Sequence, residues 1–148
     1  MAYTKFTLEA LYEKFEIEPS KAKLFDEIQP LEPDEWLKET LKANRAISQR
    51  TEKARSESVV APILVELSRR NGEKFKIFSG VELNVDKKKG LNGETDFLLA
   101  TSKDDYTIEA PIFSVVEAKK MDLDLGRPRC LAQMIGAQLF NERHKRNM

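Results

Sequence analysis

Apolar residues in the first third of the chain recur every three to four positions. They form two groups, Leu8, Leu11, Tyr12 and Phe15, followed by Trp36, Leu37, Leu41 and Ile47. This spacing is typical of amphipathic helices, with Thr7 as an N-cap of the first and Pro33 as the opening residue of the later one. We interpret residues 1–50 as a helical N-terminal appendage, ahead of a core that comprises residues 51–148.

A longer helix is predicted next, from Thr51 or Ser56 to Arg70. Its apolar stripe consists of Val60, Ile63, Leu64 and Leu67, and Asn71-Gly72 ends it. Pro62 lies inside this pattern and removes a backbone hydrogen bond. The helix is therefore expected either to kink at this proline or to begin closer to it.

The period then changes from that of a helix to that of a strand. Apolar residues alternate with mostly polar ones from Phe75 to Val85, a second strand is predicted over Thr95–Thr101, and a third over Ile112–Lys119. Pro128 opens a last predicted helix that runs to about Arg143. The pattern predicts an α/β domain in which helices flank a mainly antiparallel sheet of three strands.

Composition narrows the chemistry that such a domain can perform. The 148 residues contain one cysteine, Cys130, and one histidine, His144, which excludes an internal disulfide and a Cys-paired zinc site and leaves little room for a Ser-His-Asp triad. The N-terminal residues do not resemble a secretion signal, and no apolar run reaches the length of a membrane span. We therefore expect a cytoplasmic protein without membrane contact, whose chemistry depends on carboxylates and lysines.

The charges cancel overall but alternate along the chain. The net charge is −5 over residues 1–39, +6 over 40–93, −5 over 94–124 and +4 over 125–148. Such blocks can place a basic surface beside an acidic pocket, as a metal-dependent enzyme acting on a polyanion requires. They are equally consistent with ordinary solvated faces.

One constellation of residues carries a specific chemical hypothesis. Glu117 and Lys119 project on the same side of the third strand, because side chains alternate. If the second and third strands pair as a hairpin, Asp96 at the start of one lies beside Glu117 at the end of the other. Two converging carboxylates suit Mg²⁺, and Glu57 on the preceding helix is a third candidate ligand. The alternative is a strand-end ion pair between Glu117 and Lys119 without any chemistry.

These residues, in this order, resemble the PD-(D/E)XK nuclease superfamily, which has a restriction-endonuclease-like core. The match covers roughly residues 51–145: a helix with an early Glu57, Gly93-Glu94-Thr95-Asp96 opening a strand, Val116-Glu117-Ala118-Lys119 on the next, and a helix with Gln133. The resemblance implies that Asp96, Glu117 and Glu57 bind the metal. It implies that Lys119 orients water or stabilises negative charge, and that Gln133 lies beside the active site.

The function that the resemblance implies is hydrolysis of phosphodiester bonds in DNA by an endo- or exodeoxyribonuclease that uses Mg²⁺ or Mn²⁺. The expected partner is nucleic acid, and a homodimer is compatible with this reading. A silent module that kept the fold and binds nucleic acid or a protein is the alternative. Clustered carboxylates repel each other without metal, so replacing Asp96 by Asn is expected to be neutral or mildly stabilising.

The chain departs from the family pattern at three points. Thr95 stands where the family name has proline, and Ala137 stands where some relatives have an aromatic residue. The final core strand, which normally follows the last helix, is missing from this sequence. We expect that the sequence is truncated, or that this strand is absent or supplied by a partner.

Overall fold

The computed structural model describes residues 2–25, 27–119 and 123–144, and it shows helices on both faces of a small sheet. The N-terminal part contains a 3₁₀ turn at Tyr3–Lys5, α1 at Leu8–Phe15, α2 at Glu35–Ala43 and a second 3₁₀ turn at Asn44–Ala46. The central part contains α3 at Glu52–Arg55, a π-helical segment at Ser56–Val60 and α4 at Ala61–Arg70. The strands β1 (Lys76–Glu82), β2 (Glu94–Ala100) and β3 (Ile112–Val116) precede α5 (Leu123–Arg143).

The three strands form one antiparallel sheet in the order β1-β2-β3. The predicted α/β class and the antiparallel pairing are therefore confirmed. The third strand is shorter than predicted, because it ends at Val116, and Glu117 and Lys119 follow immediately after it. In the described ranges of the chain no fourth strand joins the sheet, so β3 is an edge strand.

Alternation along β2 divides the core between the two faces of the sheet. Leu98 and Ala100 pack with residues of α5, whereas Phe97 and Leu99 pack with Leu64 of α4. Asp96 has the same parity as Leu98, so its side chain belongs to the face that α5 covers. This assignment decides which helix can supply side chains to the candidate site.

Two side chains fix α5 against the sheet. Asn141 accepts a hydrogen bond from the Ile112 N–H at 2.8 Å and donates one to the Ile112 carbonyl at 2.7 Å. Arg143 contacts the Val85 carbonyl and the Asp86 carboxylate.

The helix α5 begins five residues before Pro128, the residue at which the sequence pattern places its start. These extra residues bring Gly126 close to the segment that follows β3.

The first residues of the chain belong to the same core as the sheet. Tyr3, Phe6 and Leu11 are buried in the cluster that contains Leu98 and Ala132. The hydroxyl of Tyr3 donates to the Leu83 carbonyl at 2.9 Å. The division at residue 50 stays a prediction, but residues 3–11 pack against the sheet face under α5.

The helix before the sheet is continuous through Pro62 instead of starting at it. Proline has no N–H, so it cannot donate to the Ser58 carbonyl as an α-helix requires. The π-helical turn lies immediately before this point, and the Asn44 amide donates to the Ser58 carbonyl at 2.8 Å instead. A widened turn and an external donor therefore accommodate the proline, and the kink stays a prediction.

Of the helices in the part of the chain that the structure describes, none combines the length and the apolar character needed to cross a bilayer.

Candidate active site

The antiparallel register of β2 and β3 places Asp96 opposite Glu117. Phe97 pairs with Val116, so the next positions outward on the two chains are Asp96 and Glu117. Directly opposed residues of an antiparallel pair project on the same face. Both carboxylates therefore point toward α5, at the end of the sheet where β2 begins and β3 ends.

Glu117 is the most enclosed charged group of this cluster, with a side chain only 3% exposed. Its Oε2 accepts a hydrogen bond from the Gln133 amide at 3.1 Å. Its Oε1 lies 2.9 Å from the Lys119 ammonium and 2.8 Å from the Arg129 guanidinium, although neither contact has hydrogen-bond geometry. Burying a carboxylate is costly unless charged or hydrogen-bonding partners compensate, and three side chains do so here.

Lys119 sits between two carboxylates. Its ammonium is 2.9 Å from Glu117 and 3.5 Å from Glu52, and its side chain is 15% exposed. Burial lowers the pKa of Lys119, but the adjacent carboxylates of Glu117 and Glu52 outweigh burial, so the pKa is raised above its ordinary value. Lys119 is thus held as a cation and supplies a fixed positive charge rather than a base.

Gly126 makes room for the stem of Lys119. A Cβ built at this position would lie 2.8 Å from Cγ of Lys119, closer than real Cβ atoms come to a neighbour. Only glycine lets α5 pass this close to the lysine. The first turn of α5 therefore confines the direction in which the ammonium points.

Asp96 connects the two strand ends. Its Oδ2 accepts the Ala118 N–H at 2.7 Å, and its Oδ1 lies 3.6 Å from the Arg129 guanidinium. The carboxylate is 25% exposed, more than that of Glu117. Asp96 thus holds the backbone between Glu117 and Lys119 while its side chain stays partly exposed.

Gln133, which the resemblance implied, is on the face of α5 that covers the cluster. The residue is fully buried, its amide nitrogen donates to Glu117, and its Oε1 has no hydrogen-bond partner. Arg129 lies one helical turn earlier and contacts both carboxylates, and Gly126 lies one turn earlier still. This spacing of three and four residues puts Gly126, Arg129 and Gln133 in one row.

Arg129 and Glu52 were not predicted from the sequence. Arg129 could have been found from its position four residues before Gln133, because residues at that spacing share a helix face. Glu52 carried no such signal, since its role depends on where α3 lies relative to the end of β3. Both positions are fixed only by the tertiary fold.

The structure does not bring Glu57 to the cluster. Its carboxylate is 66% exposed and lies 3.9 Å from the ammonium of Lys53, on the same helix. Glu52, five residues earlier, is the helical carboxylate that approaches Lys119. A π-helical turn begins at Ser56, so side chains on either side of it point in other directions than they would in a regular helix. The sequence pattern does not reveal this turn.

The charges of the cluster nearly balance in the protein alone. Asp96, Glu117 and Glu52 face Lys119 and Arg129, which leaves one net negative charge. The repulsion expected between clustered carboxylates is therefore offset, because each site carboxylate contacts at least one cation. The pKa of the Cys130 thiol is also raised, mainly by burial and further by the charge of Glu117.

Whether these residues fit a divalent cation depends on their donor atoms. Within the described ranges, no three acidic, histidine or cysteine side chains are grouped as a complete metal cage. Magnesium, however, is commonly held by one or two carboxylates with water completing its shell. The carboxylates of Asp96 and Glu117 provide such a pair, and the buried Gln133 Oε1, which has no hydrogen-bond partner, suits a nearby cation or its water shell.

Comparison with known proteins gives no match to a family model, to a curated protein or to a solved structure.

Proposed function

We propose that this protein is a metal-dependent nuclease that hydrolyses phosphodiester bonds, with DNA as its substrate and a restriction-endonuclease-like core as its fold. The observation that carries the proposal is the convergence of Asp96, Glu117 and Lys119 at one end of the sheet, with Gln133 bound to Glu117. A surface ion pair has no need of a carboxylate that is 3% exposed and held by three side chains. Enclosed, mutually contacting charges of this kind are typical of a functional site.

The proposed roles follow from the contacts. Asp96 and Glu117 would hold Mg²⁺ or Mn²⁺, which when bound supplies an activated water and neutralises charge on the phosphate. Lys119 stays cationic because of its raised pKa, so it stabilises the negative charge that develops on the phosphoryl oxygens. Gln133 fixes the orientation of Glu117 through its hydrogen bond. Glu52 limits the movement of the Lys119 ammonium from the opposite side.

Of the proposed site residues, Lys119 borders a cleft beside the cluster. A cleft of about 300 Å³ is lined by Lys119 and Ala118 on one side and by Gln49, Arg55, Val59 and Val60 on the other. Hydrolysis forms one bond from water oxygen to phosphorus and breaks the bond to the leaving oxygen, which takes up a proton. A cation adjacent to the cleft suits the polyanionic substrate that this reaction requires.

The proposal is tested by incubating the protein with single-stranded DNA, duplex DNA and RNA in Mg²⁺ or Mn²⁺. We expect cleavage of DNA that chelation abolishes. Lys119→Ala should lose about 2–4 kcal/mol of transition-state stabilisation, comparable to the loss of an oxyanion donor, while metal binding largely survives. Binding of nucleic acid without cleavage of any of the three substrates would favour the silent module instead.

A further inference from the structure

Arg129 contacts both carboxylates that the proposed function assigns to the metal. Its guanidinium is 2.8 Å from Oε1 of Glu117 and 3.6 Å from Oδ1 of Asp96, and it donates to the Glu94 carbonyl at 3.0 Å. A guanidinium and a divalent cation bind the same carboxylate oxygens for the same electrostatic reason. The arginine therefore competes with any cation that these two residues hold.

The bonding of this arginine is incomplete. Its Nε is buried without a partner, and its contact with Oε1 of Glu117 lacks hydrogen-bond geometry. A buried donor without a partner costs free energy, so the position is not an optimal end point for the side chain.

A second ion pair, between Arg70 and the buried Glu66, offers a comparison within the same molecule, although Oε2 of Glu66 has no hydrogen-bond partner. Arg70 donates from Nε to Glu66 Oε1 at 2.6 Å and from Nη2 to the Glu32 carbonyl at 2.5 Å. The same Glu66 oxygen also accepts the Asp34 N–H at 3.1 Å. The guanidinium of Arg70 is thus well bonded along one edge, whereas that of Arg129 is not.

We propose that Arg129 is an exchangeable latch: it bridges Asp96 and Glu117 in the metal-free protein, gives them up to the divalent cation, and then binds a phosphate of the substrate. This inference rests on the proposed function and adds its regulation. The side chain of Arg129 is 22% exposed, so it borders solvent as well as the two carboxylates. Its planar fork also matches the oxygens of a phosphate.

The latch has a measurable thermodynamic consequence. If the carboxylates are free in only a fraction of molecules, the apparent metal affinity is reduced by that fraction. Removing the guanidinium frees the carboxylates and also leaves the cluster with one more net negative charge. Both effects strengthen cation binding, whereas binding weakens if the guanidinium is needed to hold the two carboxylates in place.

The test is calorimetric titration of Mn²⁺ into the wild-type protein, Arg129→Ala, Arg129→Lys and the control Arg127→Ala. Arg127 lies on the same helix, is 66% exposed and pairs with Asp124 at 3.0 Å, away from the carboxylates. Arg129→Ala is expected to bind Mn²⁺ roughly tenfold or more tightly than wild type, as expected for a latch closed in most molecules. A lysine at position 129 cannot span both carboxylates, so the Mn²⁺ affinity of Arg129→Lys should lie between those of the wild type and Arg129→Ala. The Mn²⁺ affinity of Arg127→Ala should equal that of the wild type.

A second readout uses anisotropy of a short phosphorothioate DNA duplex in Mn²⁺. Arg129→Ala should bind this duplex several-fold more weakly than wild type, although it binds the metal more tightly. The reason is that the variant has no guanidinium to contact a phosphate. Mn²⁺ affinity that is unchanged or weaker in both Arg129 variants, while the wild type still binds Mn²⁺, overturns the latch and leaves the proposed nuclease standing. Failure of every variant to bind Mn²⁺ overturns both.

Discussion

At the scale of single residues, Gly126 and Lys119 form the tightest steric fit of the site. Gly126→Ala adds a methyl group within 2.8 Å of the Lys119 stem, so the ammonium has to move from its place beside Glu117. We expect cleavage to fall by about tenfold or more, since small misplacements of a charged group are costly for catalysis. The melting temperature should change little, because the helix preference of alanine, about 1 kcal/mol over glycine, opposes the cost of moving Lys119 away from the buried Glu117 carboxylate.

The matched control for this substitution is Gly136→Ala on the same helix. There the new methyl group would meet the Tyr3 hydroxyl, in the core and not at the site. It should lower the melting temperature while leaving cleavage per folded molecule close to wild type. If Gly126→Ala instead lowered the melting temperature and left cleavage per folded molecule unchanged, Gly126 would serve packing and not the position of Lys119.

For Asp96→Asn, the structure predicts a loss of stability, whereas repulsion between the carboxylates alone would predict a neutral or mildly stabilising effect. Because Asp96 accepts the Ala118 N–H and lies near Arg129, Asp96→Asn removes a favourable charge and should cost about 1 kcal/mol of unfolding free energy in the absence of metal. Chemical denaturation in the presence of a chelator measures this cost. The control is Asp105→Asn. Asp105 is 76% exposed and pairs with Lys76 at the surface, so this substitution should have no measurable effect on the unfolding free energy. A stabilised Asp96→Asn protein would show that carboxylate repulsion dominates after all.

At the scale of elements, the question is which carboxylate of the helix before the sheet serves the site. Glu52 in α3 lies 3.5 Å from Lys119, whereas the Glu57 carboxylate in the π-helical turn is 66% exposed and pairs with Lys53. We expect Glu52→Gln to lower the cleavage rate several-fold, because Lys119 loses one of the two charges that hold it. Glu57→Gln should change the rate by less than about twofold. Initial rates in Mg²⁺ at saturating DNA decide between them, and a larger effect of Glu57→Gln would restore the sequence-based assignment.

At the scale of the whole molecule, Tyr3 joins the N-terminal turn to the sheet and α5. Burial raises the pKa of Tyr3 well above the ordinary value near 10. The neutral hydroxyl therefore contributes its full stability below pH 10, and this contribution is lost as the pH rises toward the folded-state pKa. We expect the wild type to lose unfolding free energy more steeply above pH 10 than Tyr3→Phe. Tyr106→Phe, which alters a residue 95% exposed, should follow the wild-type slope.

Much of this architecture could be predicted from local patterns. Short apolar runs identify two strands in Thr95–Thr101 and Ile112–Lys119, and antiparallel pairing then brings Asp96 to Glu117. The spacing to Gln133 puts Arg129 on the same helix face, but its contacts with the carboxylates, and those of Glu52 and Gly126 with Lys119, depend on how the helices lie on the sheet. The accommodation of Pro62 could not be predicted for a similar reason: the donor that replaces its missing N–H belongs to Asn44, which only the tertiary fold brings to Ser58.

The central claim is that Asp96 and Glu117 support metal-dependent phosphodiester hydrolysis, and the cleavage rate of Glu117→Gln tests it most directly. The substitution keeps the size of the side chain and a carbonyl oxygen beside Gln133 but removes the buried charge that Lys119 and Arg129 contact. With Mg²⁺ and DNA, we predict clear cleavage by the wild type and a loss of at least about 100-fold in the folded Glu117→Gln protein. Equal cleavage by the two proteins, or activity that persists in a chelator, would contradict the account.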